Sequence, residues 1–184
     1  MKNAVRVLSC GVILGLASAG TIAAVNPITP GLTSSEGSIQ ITLDVAQGIQ
    51  IQELSNIQLD LNGLAAGNDL IGRDTFCVGA VGFKSYSIRF DSATATSGFE
   101  LQGSTERLPY NVTFTSDTAE NATGTATNAD GTITTTYSPK SGYLCTSDAA
   151  DHNAQVIVTV PTGVWEAAAD PSYSDTLTVT VSGE

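Results

Sequence analysis

The sequence is poor in the side chains that catalysis and metal binding require. It has one histidine, His152, and three cysteines in 184 residues. A Ser–His–acid triad would have to use His152, and no Gly-x-Ser-x-Gly elbow is present to hold a nucleophile. One imidazole without a cysteine cluster is a weak basis for a metal site. We therefore expect no catalytic residue, no metal site and no cofactor, and we interpret His152 as a solvated loop residue.

Two further motifs resemble chemical sites only in part. Residues 128–131, Asn-Ala-Asp-Gly, resemble the start of a calcium loop, but the acidic ligand that should follow is missing. We interpret Asp130-Gly131 as a β-turn. Asp148 and Asp151 could form a carboxylate pair of the kind that hydrolyses glycosides. Because the chain has eighteen acidic residues, we interpret these two as surface residues.

Positive charge is also scarce. Seven Lys and Arg stand against eighteen Asp and Glu, which gives a net charge of −11. An acidic surface repels phosphate backbones, so nucleic acid is not an expected partner. The chain also has no basic patch for binding membrane lipids.

The sequence has no apolar run that is long enough to span a bilayer. Residues 7–19 are apolar but too few, and the basic residues Lys2 and Arg6 precede them. This pattern predicts a secretory signal peptide over residues 1–24, with small-residue cleavage options at 17–19 and 22–24. An uncleaved membrane anchor is the alternative. Cleavage removes Lys2 and Arg6, which leaves five basic residues, a net charge of −13 and no membrane span.

Cleavage would also leave two cysteines, Cys77 and Cys145. An even pair in an exported chain is typical of one disulfide, and the alternative is two buried free thiols. The bridge would close a loop of 69 residues, counted from Cys77 to Cys145 inclusive.

The clearest pattern in the chain is the strict alternation of residues 38–46, called here the alternating segment. Four apolar side chains share one face of this predicted strand: Ile39, Ile41, Leu43 and Val45. Before it lies a leader rich in Pro, Thr, Ser and Gly. We interpret residues 25–47 as a flexible leader that ends in a strand.

The remainder, residues 48–184, contains many short strand patterns separated by turns. The predicted strands are 49–53, 56–61, 75–80, 83–90, 98–102, 109–115, 132–137, 154–160 and 173–181. Residues 63–72 are predicted to form a loop, residues 116–131 an exposed hairpin tip, and residues 165–169 at most a helical turn. This pattern predicts an all-β antiparallel sandwich.

The last predicted strand places Leu177, Val179 and Val181 on one face, with little chain after it. We therefore expect it at a sheet edge, and long apolar edges need a cover. The alternating segment could cover it, either in the same molecule or in the next one.

Several short motifs carry a family resemblance. They are the alternating strand that ends in Gly48, Phe76-Cys77-Val78, Leu108-Pro109-Tyr110-Asn111-Val112, and the closing strand Tyr173-Ser174-Asp175-Thr176-Leu177-Thr178-Val179-Thr180-Val181. With these motifs the chain resembles subunits of archaic chaperone–usher pili and the related spore-coat-U-like domains, from about residue 38 to 181. It departs from the pattern at Ile49, where members of the family often have a cysteine.

The resemblance implies an immunoglobulin-like sandwich that lacks one strand. It also implies polymerisation by donor-strand complementation, with Ile39, Ile41, Leu43 and Val45 as the donor strand and Leu177, Val179 and Val181 on the acceptor edge. The implied partners are other copies of the chain or related pilins, a periplasmic chaperone and an outer-membrane usher. The implied location is the periplasm and then the cell surface, with a role in adhesion or biofilm formation.

Two other functional classes remain open from the sequence. A secreted carbohydrate-binding or coat protein of sandwich type would need exposed aromatic platforms, and one Trp with five Tyr is a small supply. A hydrolase on a sandwich scaffold is the third class, and it lacks catalytic groups.

Overall fold

A computed structural model describes residues 40–95, 97–142 and 145–184 of the chain. The chain divides into two units, Met1–Asp44 and Val45–Glu184. The second unit carries all the regular secondary structure of the described residues.

Within those described residues the chain forms ten strands and two short helices. The strands are β1 (Gly48–Gln52), β2 (Leu70–Val81), β3 (Tyr86–Ser92), β4 (Glu100–Gln102), β5 (Arg107–Pro109), β6 (Asn111–Thr115), β7 (Thr125–Ala126), β8 (Lys140–Ser141), β9 (Ala154–Val160) and β10 (Leu177–Gly183). The helices are a 3₁₀ turn at Ala149–Asp151 and α1 at Thr162–Trp165. Neither helix is long or apolar enough to cross a membrane.

The larger sheet has the order β1-β2-β9-β6-β7, and β8 pairs in parallel with β2 beyond the end of β9. All its other pairings are antiparallel. β3 and β10 form a second antiparallel pair, with Val179 opposite Phe90, and β4 pairs with β5. The predicted all-β sandwich is confirmed.

Side chains from both sheets meet in one core. Phe114 of β6 lies 6.1 Å from Phe76 of β2 and 6.1 Å from Phe90 of β3, measured between ring centroids. Tyr137 meets the edge of Phe114 at 4.7 Å. Because aromatic contacts of this kind add to the gain from burying apolar area, Phe114 helps to hold the two layers together.

Alternation along β2 decides which of its residues face this core. Phe76 and Val78 are buried in the core, and a side chain at Gly72 would run into Ile57 and Leu59, which pack against that core. Because neighbours two positions apart share a face, Gly72, Asp74, Phe76 and Val78 form the inner face. The odd-numbered residues lie on the other face, where Arg73 donates hydrogen bonds to Ala122 O and Gln155 Oε1.

Several strand boundaries differ from the prediction. Strand β9 matches the predicted 154–160, whereas β2 begins at Leu70, inside the predicted loop 63–72. Residues 56–61 form no strand, although Ile57 and Leu59 still pack against the core. The alternation of apolar and polar residues in this segment therefore reflects which side chains face the core, and not strand pairing. The chain leaves β1 through Glu53, whose φ of 65° is incompatible with a continuous strand.

Residues 132–137 are also not a continuous strand. Only two isolated bridges form, Thr132 with Arg89 and Tyr137 with Tyr86. The interpretation of Asp130-Gly131 as a turn is confirmed, since Gly131 has a φ of 79° and its N–H donates to Asn128 O at 2.9 Å. The predicted hairpin tip 116–131 is exposed only in part, because Ala122 is buried.

The disulfide between Cys77 and Cys145 is present. Cys77 is the first residue of β2 beyond its pairing with β9, which ends at Phe76. Beyond that point the Asn153 side chain accepts from Val78 N–H at 2.8 Å and donates to Val78 O at 3.1 Å. These two bonds take the place of the backbone pair that β9 would have formed with Val78. The bridge therefore anchors the segment around Cys145 to this stretch of β2, where Cys77 and Val78 are fully buried.

We expect the double variant Cys77→Ser, Cys145→Ser to lower the free energy of unfolding by about 4 kcal/mol, because the long loop is no longer closed in the unfolded chain. Urea denaturation monitored by circular dichroism measures this change. The native protein under reducing conditions is the control and should match the variant. An unfolding midpoint that changes in neither sample would contradict a stabilising bridge.

Candidate functional site

A groove of about 480 Å³ lies along the start of β10, and we call it the β10 groove. One wall is residues 54–59 and the other is the start of β10. The lining is mixed. Polar residues such as Asn56, Gln58 and Asp74 line it beside these aliphatic residues: Leu54, Ile57, Leu59, Leu101, Val156, Val158, Leu177 and Val179. Val156 and Val158 of β9 belong to the buried core, so the groove opens directly onto the interior of the sandwich.

Strand β10 contributes an edge without a partner to this groove. Among the described residues it pairs with β3 alone. Leu177, Val179 and Val181 are partly buried and pack against the core, while Thr178 and Thr180 are exposed. The backbone on the other side of β10 forms no ladder with any described strand, although β1 lies close to part of it. An unpaired edge of this kind can accept an added strand.

The opposite wall is held loosely. No residue between Glu53 and Leu61 belongs to a strand. The backbone N–H of Ser55 donates to Asp74 Oδ2 at 2.9 Å, which ties this wall to β2. Ile57 and Leu59 are the residues of the wall that pack inward.

Asp175 fixes the start of β10 against the rest of the sandwich. Tyr110 Oη donates to its Oδ2 at 2.7 Å, and Ser92 Oγ donates to the same oxygen at 2.6 Å. Oδ1 accepts from three backbone N–H groups, those of Ala93, Thr94 and Thr176. This one carboxylate thus joins β10, the end of β3 and the floor of the groove.

These contacts shift the pKa values of both partners. Burial raises the pKa of Asp175, but the hydrogen bonds that its charged form accepts, above all from Ser92 and Tyr110, leave it below its ordinary value. Burial, with the nearby Asp175 carboxylate, raises the pKa of Tyr110. Asp175 therefore stays charged and Tyr110 stays neutral at physiological pH.

A second carboxylate, Asp74, lines the groove from the inner face of β2. Burial raises its pKa, and the hydrogen bond from Ser55 and the nearby His152 oppose that rise. Its strand partner across the larger sheet is Val156, so it lies among the apolar groups of the floor.

The alternating segment is described from Gln40 onward. Gln40–Asp44 belongs to the first unit and forms no strand, and the Ile41 and Leu43 side chains are 91% and 83% exposed. Val45, at the start of the second unit, is 52% exposed. Ile39, the fourth predicted donor residue, lies outside the described residues. The donor role of these residues remains a prediction.

The residues considered for chemistry have structural partners. His152 is partly buried rather than fully solvated, and its Nδ1 lies 2.8 Å from Thr75 Oγ1. Asp148 caps the 3₁₀ turn by accepting from Ala150 N–H, and Asp151 contacts Lys140. Within the described parts of the chain, no group of three or more His, Cys, Asp or Glu is arranged to hold a metal ion.

Sequence reasoning did not single out Asp74, Asp175 or Asn153. Asp74 had a usable signal, because it interrupts an otherwise apolar inner face once the strand is extended back to Leu70. Asp175 and Asn153 gave none, since their roles depend on backbone groups that only the fold brings near them.

Comparison with known proteins gives little beyond this geometry. No family model matches the chain, and no curated protein matches its sequence. Among solved structures, it is similar to a chain of "Chaperone-tip adhesin complex is vital for synergistic activation of CFA/I fimbriae biogenesis", with a TM-score of 0.38 and 16% identity. The match covers 74% of this chain and 41% of that chain, so less than half of the other chain is represented. A likeness of this degree carries no functional argument.

We expect Asp175→Asn to lower the free energy of unfolding at pH 7 by about 1–2 kcal/mol, because its charge-assisted hydrogen bonds are lost. A carboxylate whose pKa is depressed by folding stabilises above its unfolded pKa of about 3.9, and that contribution disappears as the pH falls. The variant should therefore lose less stability than the native protein between pH 7 and pH 3. Urea unfolding at both pH values measures this.

Asp91→Asn is the matched control, because its ion pair with Arg89 is exposed and contributes at most about 1 kcal/mol. Equal acid sensitivity in the native protein and in Asp175→Asn would contradict the role assigned to Asp175.

Proposed function

We propose that the chain is a non-catalytic structural subunit of a surface fibre, which polymerises when the alternating segment of one copy enters the β10 groove of another. The proposal is carried by two complementary features, a groove beside an unpaired strand edge and a segment with exposed apolar side chains. The groove has an aliphatic floor beside a strand edge that no described strand pairs with, and Ile41 and Leu43 are apolar and exposed. The family resemblance of the sequence supports the same mechanism.

Strand addition would satisfy both features at once. The incoming backbone would pair with the open edge of β10, and its apolar face would cover Leu177, Val179 and the floor of the groove. Each inward-facing Ile, Leu or Val contributes roughly 1.5–3 kcal/mol on burial. Four such residues contribute roughly 6–12 kcal/mol before the costs of association and ordering.

The same contact accounts for a fibre rather than a closed dimer. The donor segment and the groove are different surfaces of one chain, so each copy could donate to one neighbour and accept from another. Such a heterologous contact extends without closing unless the rotation happens to form a ring.

The remaining features of the proposal concern location and partners. The disulfide favours an oxidising compartment, and with the signal pattern it supports export to the periplasm and then the cell surface. A groove open before assembly would need protection, which a periplasmic chaperone could supply before an outer-membrane usher delivers the next subunit. We also propose that the fibre serves in adhesion or biofilm formation.

The carbohydrate-binding alternative has less support. Every aromatic residue in the described parts of the chain is buried or partly buried, including Trp165, whose indole N–H donates to Asn68 O at 3.0 Å. No exposed stacking platform is present among them.

We expect Ile41→Asp to abolish assembly while leaving the sandwich folded, because a negative charge would have to be buried against the aliphatic floor of a groove that already holds Asp74. Thr42→Asp is the matched control. It adds the same charge one residue away on the opposite face of the strand, and it should still assemble. Size-exclusion chromatography and unheated electrophoresis of the mature protein would show ladders for the native chain and the control only.

Deletion of residues 25–46 should also remove the ladders. Multimers that survive in both the deletion and Ile41→Asp, or a native protein that is strictly monomeric, would rule out the proposed polymer.

A further inference from the structure

The inner face of β2 has one charged residue. Within Leu70–Val81, a stretch that the structure describes completely, the even positions are Leu70, Gly72, Asp74, Phe76, Val78 and Ala80. Asp74 sits between Gly72, over which Ile57 and Leu59 pack, and Phe76, which is fully buried. A carboxylate at a core-facing position carries a cost unless its charge is solvated or hydrogen-bonded.

The open groove provides that solvation. Asp74 lines the groove together with Val156 and Leu101, so water reaches it from the same space that an added strand would fill. The backbone N–H of Ser55 donates to its Oδ2 at 2.9 Å, and the backbone N–H of Thr75 also favours its charged form. A carboxylate has about four acceptor positions, so positions remain that water in the groove can fill.

A strand that fills the groove would displace this water. The inward face of the alternating segment is Ile39, Ile41, Leu43 and Val45, and none of these side chains can donate a hydrogen bond. A charged Asp74 would then lose its water, and the incoming side chains could not replace that water as hydrogen-bond donors. Either a proton or a donor on the incoming strand can remove that cost.

We propose that Asp74 is the specificity-determining residue of the β10 groove. A strand with a wholly apolar inward face enters with a proton on Asp74, whereas a strand that places a hydroxyl opposite Asp74 enters with the carboxylate charged. This inference rests on the proposed function, the uptake of a strand by the groove, and adds that Asp74 determines which strand binds.

The other charged groups around Asp74 do not supply the missing partner. His152 interacts with it electrostatically and favours its charged form, but the Nδ1 of His152 is engaged with Thr75. Asp175 lies across the groove with its oxygens occupied by other donors. Arg73 points to the opposite face of β2, toward Ala122 and Gln155. The adjoining wall, residues 54–59, and strands β6 and β9 contain no titratable side chain.

The first test measures binding of a fluorescent peptide of residues 37–47 to the full mature chain carrying Ile41→Asp, so that the acceptor's own segment does not compete. Binding is followed by anisotropy from pH 5 to pH 7.5. We expect the Kd to rise with pH by about fivefold or more, with an upper limit of about tenfold per pH unit for one linked proton. Adding Asp74→Asn should remove the pH dependence and give tight binding throughout. His152→Gln is the matched control and should keep the dependence.

The second test uses four peptides at pH 7.5, each with threonine at one inward position: 39, 41, 43 or 45. One of them should lose markedly less affinity than the other three, because its hydroxyl meets Asp74. In an acceptor with Asp74→Ala that advantage should disappear. Circular dichroism of each acceptor verifies that the sandwich is intact.

The outcomes separate this inference from the proposed function. Binding that is independent of pH, or equally dependent on pH in Asp74→Asn, overturns the role of Asp74 and leaves strand uptake standing. Four threonine peptides that bind alike overturn the specificity. No binding of any peptide to any acceptor overturns the proposed uptake itself, and this inference with it.

Discussion

The unpaired edge of β10 is the constraint on which the rest of the structure depends. On one side β10 pairs with β3 over its whole length, and on the other it meets a groove lined by Leu177, Val179 and the floor residues of β9. Such an edge leaves backbone groups unpaired beside apolar side chains, and natural sheets normally cover, shorten or charge edges of this kind. The wall formed by residues 54–59 covers it only in part, because Glu53 turns the chain away from strand geometry.

Polar groups tie both walls of the groove to the rest of the sandwich. Asp175 collects donors from Ser92, Tyr110 and the backbone, so the beginning of β10 is fixed before any strand is added. Asp74 ties the opposite wall through Ser55 and keeps one charged group on the floor. Each wall of the groove is therefore joined to the sandwich through one carboxylate.

The sequence predicted the parts of the fold that depend on local alternation. The apolar run of β9, the closing strand β10 and the Asp130-Gly131 turn each follow from the residues themselves. The errors have a different origin. In residues 56–61 the alternation matches the partial burial of Ile57 and Leu59, yet no backbone within the described chain pairs with them. Residues 132–137 have strand composition but meet their neighbours at two isolated bridges.

The two apolar strand faces of the candidate site could be predicted from the sequence, but the groove and its hydrogen bonds could not. The apolar face of β10 and that of the alternating segment are visible in the sequence. The groove, however, arises from residues far apart in the chain, such as Leu59, Val158 and Leu177, and the hydrogen bonds to Asp175 converge from three separate segments. Long-range convergence of this kind has no local signature in one sequence.

The central claim is that the alternating segment of one molecule lies in the β10 groove of another. Photo-crosslinking between isotopically distinct copies tests this most directly. A photoreactive phenylalanine analogue replaces Leu43 in an isotope-labelled chain, which is assembled with unlabelled chains, and crosslinked peptides are identified by mass spectrometry. The account predicts mixed-isotope crosslinks from position 43 to peptides containing residues 54–59 or 175–181 of the unlabelled copy. Crosslinks confined to a single isotope, or directed to another surface, would contradict it.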